Sequence, residues 1–231
     1  MTLAPCASGS TSFDLRTGYK LASRLYDEWH WQGFWRRNEL PIVNDWLASL
    51  EVGSVLDAGT GTGLYRAAIE GSGHFAIGID ISREMLLVQR ESHPHSALVQ
   101  GSLDAIPFAD SSFDHVLCTR VLTHVPVLLP VFAEFLRIMK PGGQVFIADL
   151  HPEHPYSKMT IKAKDQRISI QIRKYSVDEL KQSLASAGLE LLDFRTYTLA
   201  EISWKPPRDG FKNIYRDPAR PIFYTALLRR P

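Results

Sequence analysis

The sequence predicts an α/β protein with a doubly wound, mostly parallel sheet, and three observations support this fold class. Short apolar runs alternate with helical patterns between residues 52 and 150. The runs carry apolar residues on both faces, as strands covered by helices on both sides do. The first run ends in the glycine-rich turn GTGTG, where a predicted strand gives way to a predicted helix.

The first 50 residues form a region of their own. Residues 1–12 are rich in Ser, Thr and Ala and are expected to fray. Across residues 13–50, apolar residues recur at a spacing of three to four, which predicts two or three helices. We therefore divide the chain into an N-terminal tail and helical lid, residues 1–50, and an α/β domain, residues 51–231.

Five strands and the helices between them follow in order. Apolar runs bounded by turn residues predict the strands, and a three- to four-residue periodicity predicts the helices. The predicted strands are Val52–Asp57, Phe75–Asp80, Ala97–Gln100, Phe113–Thr119 and Gln144–Leu150. The predicted helices are Leu64–Glu70, Arg83–Glu91 and a segment within Val121–Lys140.

The last third of the chain departs from this alternation. The segment MTIKAKDQRISIQIRKYS alternates apolar and polar residues around KDQR, which predicts a β-hairpin inserted over the sheet at about 155–175. Ser176 and Glu179 have the spacing of a capping box, so a helix is expected to begin there and to end at Gly188. Two further strands are predicted at Glu190–Thr198 and Ile222–Arg229.

The composition limits the classes of function. The 231 residues include 26 Lys and Arg and 25 Asp and Glu, a formal net charge of +1. Without a strong positive field, we expect a small-molecule partner and neither nucleic acid nor a membrane. Two cysteines cannot form a disulfide framework and suit the reducing cytoplasm. No apolar run approaches the about 18 residues that predict a membrane span.

The turn in VLDAGTGTGLYR indicates a ligand held against bare backbone. A dinucleotide is one candidate, because a strand, a glycine-rich turn and a helix also form the Rossmann fingerprint. Counted from Gly59 or Gly61, however, the third small residue of that fingerprint would fall at Leu64 or Arg66. A phosphate-binding P-loop is excluded because no Gly-Lys-Ser/Thr follows the turn.

Two acidic residues close the first two predicted strands. Asp57 ends the first strand, and Asp80 ends the second in FAIGIDIS. Ligands of this fold class lie beyond the carboxyl ends of the strands, so both carboxylates should face one crevice. A carboxylate accepts two neighbouring hydroxyl hydrogen bonds, which suits Asp80 to a ribose diol. The alternative role for Asp80 is to cap the following helix.

Four motifs in succession, VLDAGTGTG, GIDIS, GSLDAIPFADSSFDHVLC and FLRIMKPGGQVFIADL, cover about residues 50–150. Together they resemble the class I S-adenosylmethionine-dependent methyltransferases, in particular the group related to ubiquinone and menaquinone biosynthesis (methyltransferase type 11). The resemblance implies S-adenosylmethionine as cofactor. It also implies a Rossmann-like, seven-stranded sheet whose last strand is antiparallel.

The resemblance assigns roles to the glycine turn and the two acids. Gly59, Thr60 and Gly61 would let the backbone approach the methionine and ribose parts of the cofactor. Asp57 would help to hold its amino group, and Asp80 would bind the ribose hydroxyls.

Further residues are implied around the adenine and the methionine. Ile81 and Met85 would lie against the adenine ring. Leu103 would offer its backbone amide to the adenine edge, next to Ser102, which stands where the family often has an acid. The Arg120 carbonyl would lie near the methionine ammonium.

Two histidines are candidate bases. His124 follows the predicted fourth strand and His151 the fifth, so both are expected at the carboxyl edge of the sheet, where an acceptor would approach. An imidazole with a pKa near about 6.5 can accept a proton from an oxygen or nitrogen nucleophile. The alternative for each is a structural role in its loop. No metal site is predicted.

The lid region is unusually aromatic. The sequence YDEWHWQGFWRR carries Tyr26, Trp29, Trp31 and Trp35 before the first strand. These rings could stack on a planar acceptor or face a cation, or they could pack against the sheet.

The sequence thus predicts transfer of a methyl group to an oxygen or nitrogen of a small organic molecule. Three alternatives remain open: an NAD(P)-dependent oxidoreductase, a non-catalytic S-adenosylmethionine-binding module, and an RNA methyltransferase. The neutral charge makes the last of these the least favoured.

Overall fold

The computed structural model describes residues 10–162, 167–203 and 217–231. Within these ranges the chain forms ten strands and seven α-helices. The strands are β1 Ser10–Phe13, β2 Ser54–Ala58, β3 Phe75–Asp80, β4 Ala97–Gln100, β5 Phe113–Thr119, β6 Met139–Leu150, β7 Lys158–Lys162, β8 Arg167–Gln171, β9 Glu190–Thr198 and β10 Pro221–Arg229. The helices are α1 Leu15–Ala22, α2 Trp31–Asn38, α3 Leu40–Ala48, α4 Arg66–Gly71, α5 Arg83–Ser92, α6 Leu128–Ile138 and α7 Val177–Ala187.

Seven strands form the main sheet in the order β4-β3-β2-β5-β6-β10-β9. Strands β2 to β6 pair in parallel, and β10 pairs antiparallel with both β6 and β9. The predicted seven-stranded sheet with an antiparallel last strand is therefore confirmed. The order reverses at β2, which lies between β3 and β5, and such a switch point opens a crevice at the carboxyl ends of the strands.

Helices cover both faces of this sheet, which explains why its central strands carry apolar residues on both faces. On one face, α6 buries Phe132, Phe135 and Ile138 against the sheet, in the same cluster as Cys118. On the other face, α3 buries Val43, Trp46 and Leu47, together with α4. Cys118 is a buried free cysteine.

Both predicted ends of α7 match the structure in detail. Ser176 caps α7 in a complete capping box with Glu179, and the helix ends at Gly188 in the left-handed conformation.

Strand β6 begins at Met139, earlier than the predicted Gln144. The reason is a backbone exchange with the far end of the chain: Gly142 N–H donates to the Arg230 carbonyl, and Arg230 N–H donates to the Gly143 carbonyl.

A second, three-stranded sheet has the order β1-β8-β7. The predicted hairpin is confirmed in β7 and β8, which pair antiparallel, while its turn at residues 163–166 lies outside the described residues. The prediction that residues 1–12 fray is wrong for residues 10–12, because β1 pairs in parallel with β8. Residues 1–9 lie outside the described part of the chain.

The N-terminal helices pack on this small sheet and on the glycine turn. Gly18 of α1 lies so close to Ile170 that a Cβ at position 18 would be 2.4 Å from its Cγ1. The Thr62 hydroxyl of the glycine turn donates to Asp27 at 2.6 Å. The lid thus contacts both the small sheet and the glycine turn. Among the helices described, none is both long and apolar enough to cross a membrane.

Candidate functional site

A cavity lies at the switch point, between the carboxyl ends of β2, β3 and β5 and the N-terminal lid. It has about 1000 Å³ of unfilled space, including its solvent-open mouth. Nine of the ten predicted cofactor residues line it: Gly59, Thr60, Gly61, Asp80, Ile81, Met85, Ser102, Leu103 and Arg120. The cavity also has walls of Leu15, Tyr19 and Tyr26 from the lid and of Val121, His124 and Val125 beyond β5.

The glycine turn has glycines in the left-handed conformation, and its N–H groups are hydrogen-bonded within the protein. Gly59 has φ +76°, and a Cβ there would lie 2.1 Å from Val121 Cγ2, so only glycine fits. The N–H groups of Gly59 and Thr60 donate to the Ile79 carbonyl at 2.8 and 3.0 Å. Gly61 N–H donates to Asp80 Oδ2 at 2.9 Å. Pyrophosphate binding requires such N–H groups to be free, so this turn does not favour a dinucleotide.

Asp80 is held in place by backbone donors on both oxygens. Oδ2 accepts from Gly61, and Oδ1 accepts from Ser82 N–H at 2.8 Å. Each carboxylate oxygen keeps a second acceptor site for a ligand hydroxyl. Burial raises the pKa of the Asp80 carboxyl, and the Ser82 and Gly61 N–H groups oppose that rise. The N-cap of α5 is Ser82, whose hydroxyl accepts from Met85 N–H, so Asp80 is not used as the cap.

Asp57 lies behind the turn and not on the cavity wall. Its side chain is buried, and Oδ2 accepts from the Thr60 hydroxyl at 2.6 Å. Burial raises its pKa to about 6, while the Thr60 hydrogen bond opposes the rise. The observed contact of the Asp57 side chain is to Thr60 of the turn. A direct contact between Asp57 and a ligand therefore stays a prediction.

A buried polar network connects the lid to the end of β5. The Arg120 guanidinium forms an ion pair with Glu39, at the junction of α2 and α3, and donates to the Tyr65 hydroxyl at 2.7 Å. Its cationic carbon lies 5.0 Å from the centre of the Trp35 ring. Burial raises the pKa of the Glu39 carboxyl, and Arg120 and Tyr65 oppose that rise. Sequence reasoning missed Glu39, and its only signal was an acid between apolar helical segments.

His124 reaches the cavity and is paired with a residue that sequence reasoning also missed. The Tyr19 hydroxyl of α1 lies 2.9 Å from His124 Nε2, and the two rings meet edge to face. Burial lowers the pKa of His124 to about 4, with the Gln171 carbonyl opposing the shift, so the imidazole is neutral near pH 7. The available signal was the four-residue spacing of Leu15 and Tyr19, which places both on one face of α1.

His151 is placed differently. It is buried and does not line the cavity, and its Nδ1 accepts from Glu153 N–H at 3.2 Å. Burial lowers its pKa. This arrangement fits the alternative that His151 shapes its loop. In the described ranges, no group of three His, Cys, Asp or Glu side chains could hold a metal ion.

The four predicted aromatic residues separate into two groups. Tyr26 lines the cavity. Trp31 and Trp35 are buried instead in a cluster with Phe34 and Phe223, at the end of the sheet. Trp29 packs between that cluster and the small sheet. These tryptophans therefore form the support of the lid, and Tyr26 is the one of the four with access to a ligand.

A fully buried histidine near the same edge contributes to the acid response of the fold. His154 has no solvent exposure, and its Nδ1 accepts from Tyr156 N–H at 3.3 Å. Burial lowers its pKa to about 3, and the charges of Lys174 and Arg220 add to this effect.

This depressed pKa predicts a measurable loss of stability in acid. An unfolded histidine titrates near about 6.5, so below that pH the unfolded chain takes up a proton that the folded chain refuses. Stability is therefore lost as the pH falls from about 6.5 towards about 3. Between pH 7 and pH 5, the free energy of unfolding of the wild type should fall by about 2 kcal/mol more than that of His154→Gln. Urea unfolding at both pH values measures this, and equal falls for the two proteins would contradict it.

Comparisons with known proteins agree with this architecture. Residues 56–147 match the family model described as a methyltransferase domain. A malonyl-[acyl-carrier protein] O-methyltransferase of Erwinia pyrifoliae is 33% identical over 149 residues, 63% of this chain and 55% of that protein. A demethylmenaquinone methyltransferase of Renibacterium salmoninarum is 34% identical over 119 residues, 51% of this chain and 48% of that protein. The chain thus spans about half the length of these two curated relatives.

A solved structure shares the fold. The S-adenosylmethionine-dependent methyltransferase from Mesorhizobium loti superposes with a TM-score of 0.63 over 82% of this chain and 96% of that one, at 19% identity. At this identity the likeness concerns the fold alone. The order of the sheet and this superposition together show a Rossmann-like methyltransferase fold, within which residues 56–147 match the methyltransferase-domain model.

Proposed function

We propose that the protein transfers a methyl group from S-adenosylmethionine to an oxygen or nitrogen of a small organic molecule. One observation carries the proposal. A single cavity joins the glycine turn and Asp80 to the Tyr19–His124 pair beneath the lid. A donor and an acceptor bound in its two parts would meet without crossing bulk water, which is what a displacement between them requires.

The residues of the cavity fit the proposed cofactor. Asp80 has free acceptor sites for a ribose diol, and Ile81 and Met85 offer apolar contact to an adenine. Ser102 and Leu103 line the cavity on the same side. When bound, S-adenosylmethionine would supply the methyl group. The bond from the methyl carbon to sulfur breaks as the bond to the acceptor forms, and the electron pair of the broken bond stays on sulfur. The acceptor releases a proton.

The chain's own residues would orient the acceptor, exclude water and take up that proton. We assign proton acceptance to His124, because it reaches the cavity, and we give His151 a structural role. The lid would limit the access of water to the bound acceptor, since the Asp27–Thr62 hydrogen bond fastens it to the glycine turn. The balanced charge of the chain favours a small acceptor over a nucleic acid, and its two cysteines favour the cytoplasm.

Two measurements test this function in sequence. Calorimetric titration should show binding of S-adenosylhomocysteine and none of NAD or NADP. Incubation with methyl-labelled S-adenosylmethionine and a small-molecule extract should then give a labelled product, to be identified by mass. Binding of NAD in place of S-adenosylhomocysteine would favour the oxidoreductase. Binding of S-adenosylhomocysteine with no labelled product from any extract would favour a non-catalytic module.

A further inference from the structure

The lid side of the cavity has the chemistry of an acceptor subsite. We propose that it binds an uncharged, planar hydroxyl compound of the phenol type, and that Tyr19 is a catalytic residue that shares the acceptor hydroxyl with His124. The inference rests on the proposed function and deepens it, since it chooses oxygen over nitrogen and names the class of acceptor.

The first argument is the polar pair itself. Tyr19 Oη belongs to α1 and His124 Nε2 to the segment after β5. The two atoms lie 2.9 Å apart. The Tyr19 hydroxyl is also 4.0 Å from Met159 Sδ of the small sheet. A hydroxyl both donates and accepts, so an acceptor hydroxyl can donate to Nε2 and accept from Tyr19, replacing the bond that the two make to each other.

The second argument is charge. Among the described residues that line the cavity, the charged ones are Asp80, Asp104 and Arg120. Asp80 and Asp104 belong to the cofactor side, and Arg120 is neutralised by Glu39. An ammonium or a carboxylate on the lid side would therefore be buried without a counter-charge, which is strongly unfavourable. An aliphatic amine, protonated near neutral pH, is disfavoured for the same reason.

The third argument is the shape and polarity of the walls. Besides the Tyr19–His124 pair and Arg120, the lid and the segment after β5 line the cavity with the Tyr26 ring, Leu15, Val121, Val125 and Pro126. The Tyr19 and Tyr26 rings stand 5.9 Å apart at 64°, so an aromatic ligand would meet ring edges as well as aliphatic side chains. Such walls favour an apolar, flat body with its polar group at the Tyr19–His124 end.

Proton transfer at this pair balances without another reactant. As the acceptor oxygen bonds to the methyl carbon, its own O–H becomes strongly acidic. The neutral His124 imidazole takes that proton at Nε2 and later passes it to solvent. Because the proton becomes acidic only as the new bond forms, even a weakly basic imidazole suffices. Tyr19 keeps its own proton and donates a hydrogen bond to the acceptor oxygen.

A matched series of ligands tests the class of acceptor. The full-length protein, saturated with S-adenosylhomocysteine, is titrated by equilibrium dialysis with 2-naphthol, 2-methylnaphthalene, 2-naphthoate and 2-naphthylmethylammonium. We expect 2-naphthol to bind about tenfold more tightly than each of the others, the value of one or two hydrogen bonds. Equal or tighter binding of the anion or the cation, or no binding of 2-naphthol, would overturn the proposal.

Variants test the residues. Tyr19→Phe and His124→Gln should each weaken 2-naphthol binding about threefold, about half of the hydroxyl's contribution in free energy, and leave 2-methylnaphthalene unchanged. Tyr197→Phe removes a tyrosine hydroxyl outside the cavity while keeping the ring that stacks on Phe223, and it should change neither affinity. A Tyr19→Phe protein that discriminates the two ligands as strongly as the wild type would remove Tyr19 from the site.

Labelled methyl transfer separates this inference from the proposed function. Transfer to 2-naphthol that Tyr19→Phe slows about tenfold supports both. Transfer to amines alone overturns the inference and leaves methyl transfer standing. Failure to bind S-adenosylhomocysteine at all would overturn the proposed function, and the inference with it.

Discussion

Glu39→Gln should lower the free energy of unfolding by about 3–5 kcal/mol, the usual cost of removing one partner from a buried ion pair. Glu39 is completely buried and forms an ion pair with Arg120, whose side chain is 13% exposed. The substitution keeps the shape and removes the charge, so the guanidinium remains between the Trp35 and Tyr65 rings without its counter-ion. Urea unfolding at pH 7 measures the change.

An exposed ion pair provides the matched control for this prediction. Glu190 and Arg229 lie 2.7 Å apart on β9 and β10, with exposed fractions of 45% and 47%. Glu190→Gln should cost at most about 1 kcal/mol, because water screens the pair. The double variant Glu39→Gln/Arg120→Met should recover part of the loss, since it removes the unpaired charge. A loss below about 1 kcal/mol for Glu39→Gln alone would mean that Arg120 finds another partner.

Asp80→Ala should weaken S-adenosylhomocysteine binding about 100-fold, equivalent to about 2.7 kcal/mol. The carboxylate is proposed to accept the ribose hydroxyls, and hydrogen bonds to a charged group contribute about 1.5–3 kcal/mol each. The substitution also leaves the Gly61 and Ser82 N–H groups without their acceptor, which loosens the turn. Calorimetric titration measures the dissociation constant.

The control for Asp80→Ala is another aspartate far from the cavity. Asp193, on the outermost strand β9, is exposed, and Asp193→Ala should leave the affinity unchanged. An unfolding transition of Asp80→Ala close to that of the wild type would show that the loss is local. Unchanged affinity in Asp80→Ala would remove the ribose contact from the proposed site.

The sequence predicts those parts of the fold that depend on neighbouring residues. Strand β5 matches its prediction from Phe113 to Thr119, because Val116, Leu117 and Cys118 are consecutive apolar residues, as expected of a strand covered on both faces. The capping box of α7 is equally local, because the side chains of Ser176 and Glu179 each accept a hydrogen bond from the other residue's backbone N–H. Most of the predicted cofactor residues lie in the glycine turn or at and just after the end of β3. The spacing of the motifs is therefore enough to place them on the cavity wall.

Features that join distant segments could not be predicted in this way. Tyr19 and His124 are 105 positions apart, and Glu39 and Arg120 are 81 apart. The burial of Trp35 in the lid depends on its packing against Phe223, which is distant in the sequence. In each case a side chain's role is set by tertiary packing, whereas the local pattern records only that it is aromatic or acidic.

The parallel pairing of β1 with β8 also determines when the site can be assembled as the chain is synthesised. Ser10–Phe13 leave the ribosome early, but their partner Arg167–Ile170 follows only after the parallel strands β2 to β6 have been made. Pairing must then close a very long loop, which is entropically costly and kinetically slow. A nascent chain that ends before β8 would therefore carry the complete glycine turn with an open lid. The ability to shield a ligand from water would be the last property that the growing chain acquires.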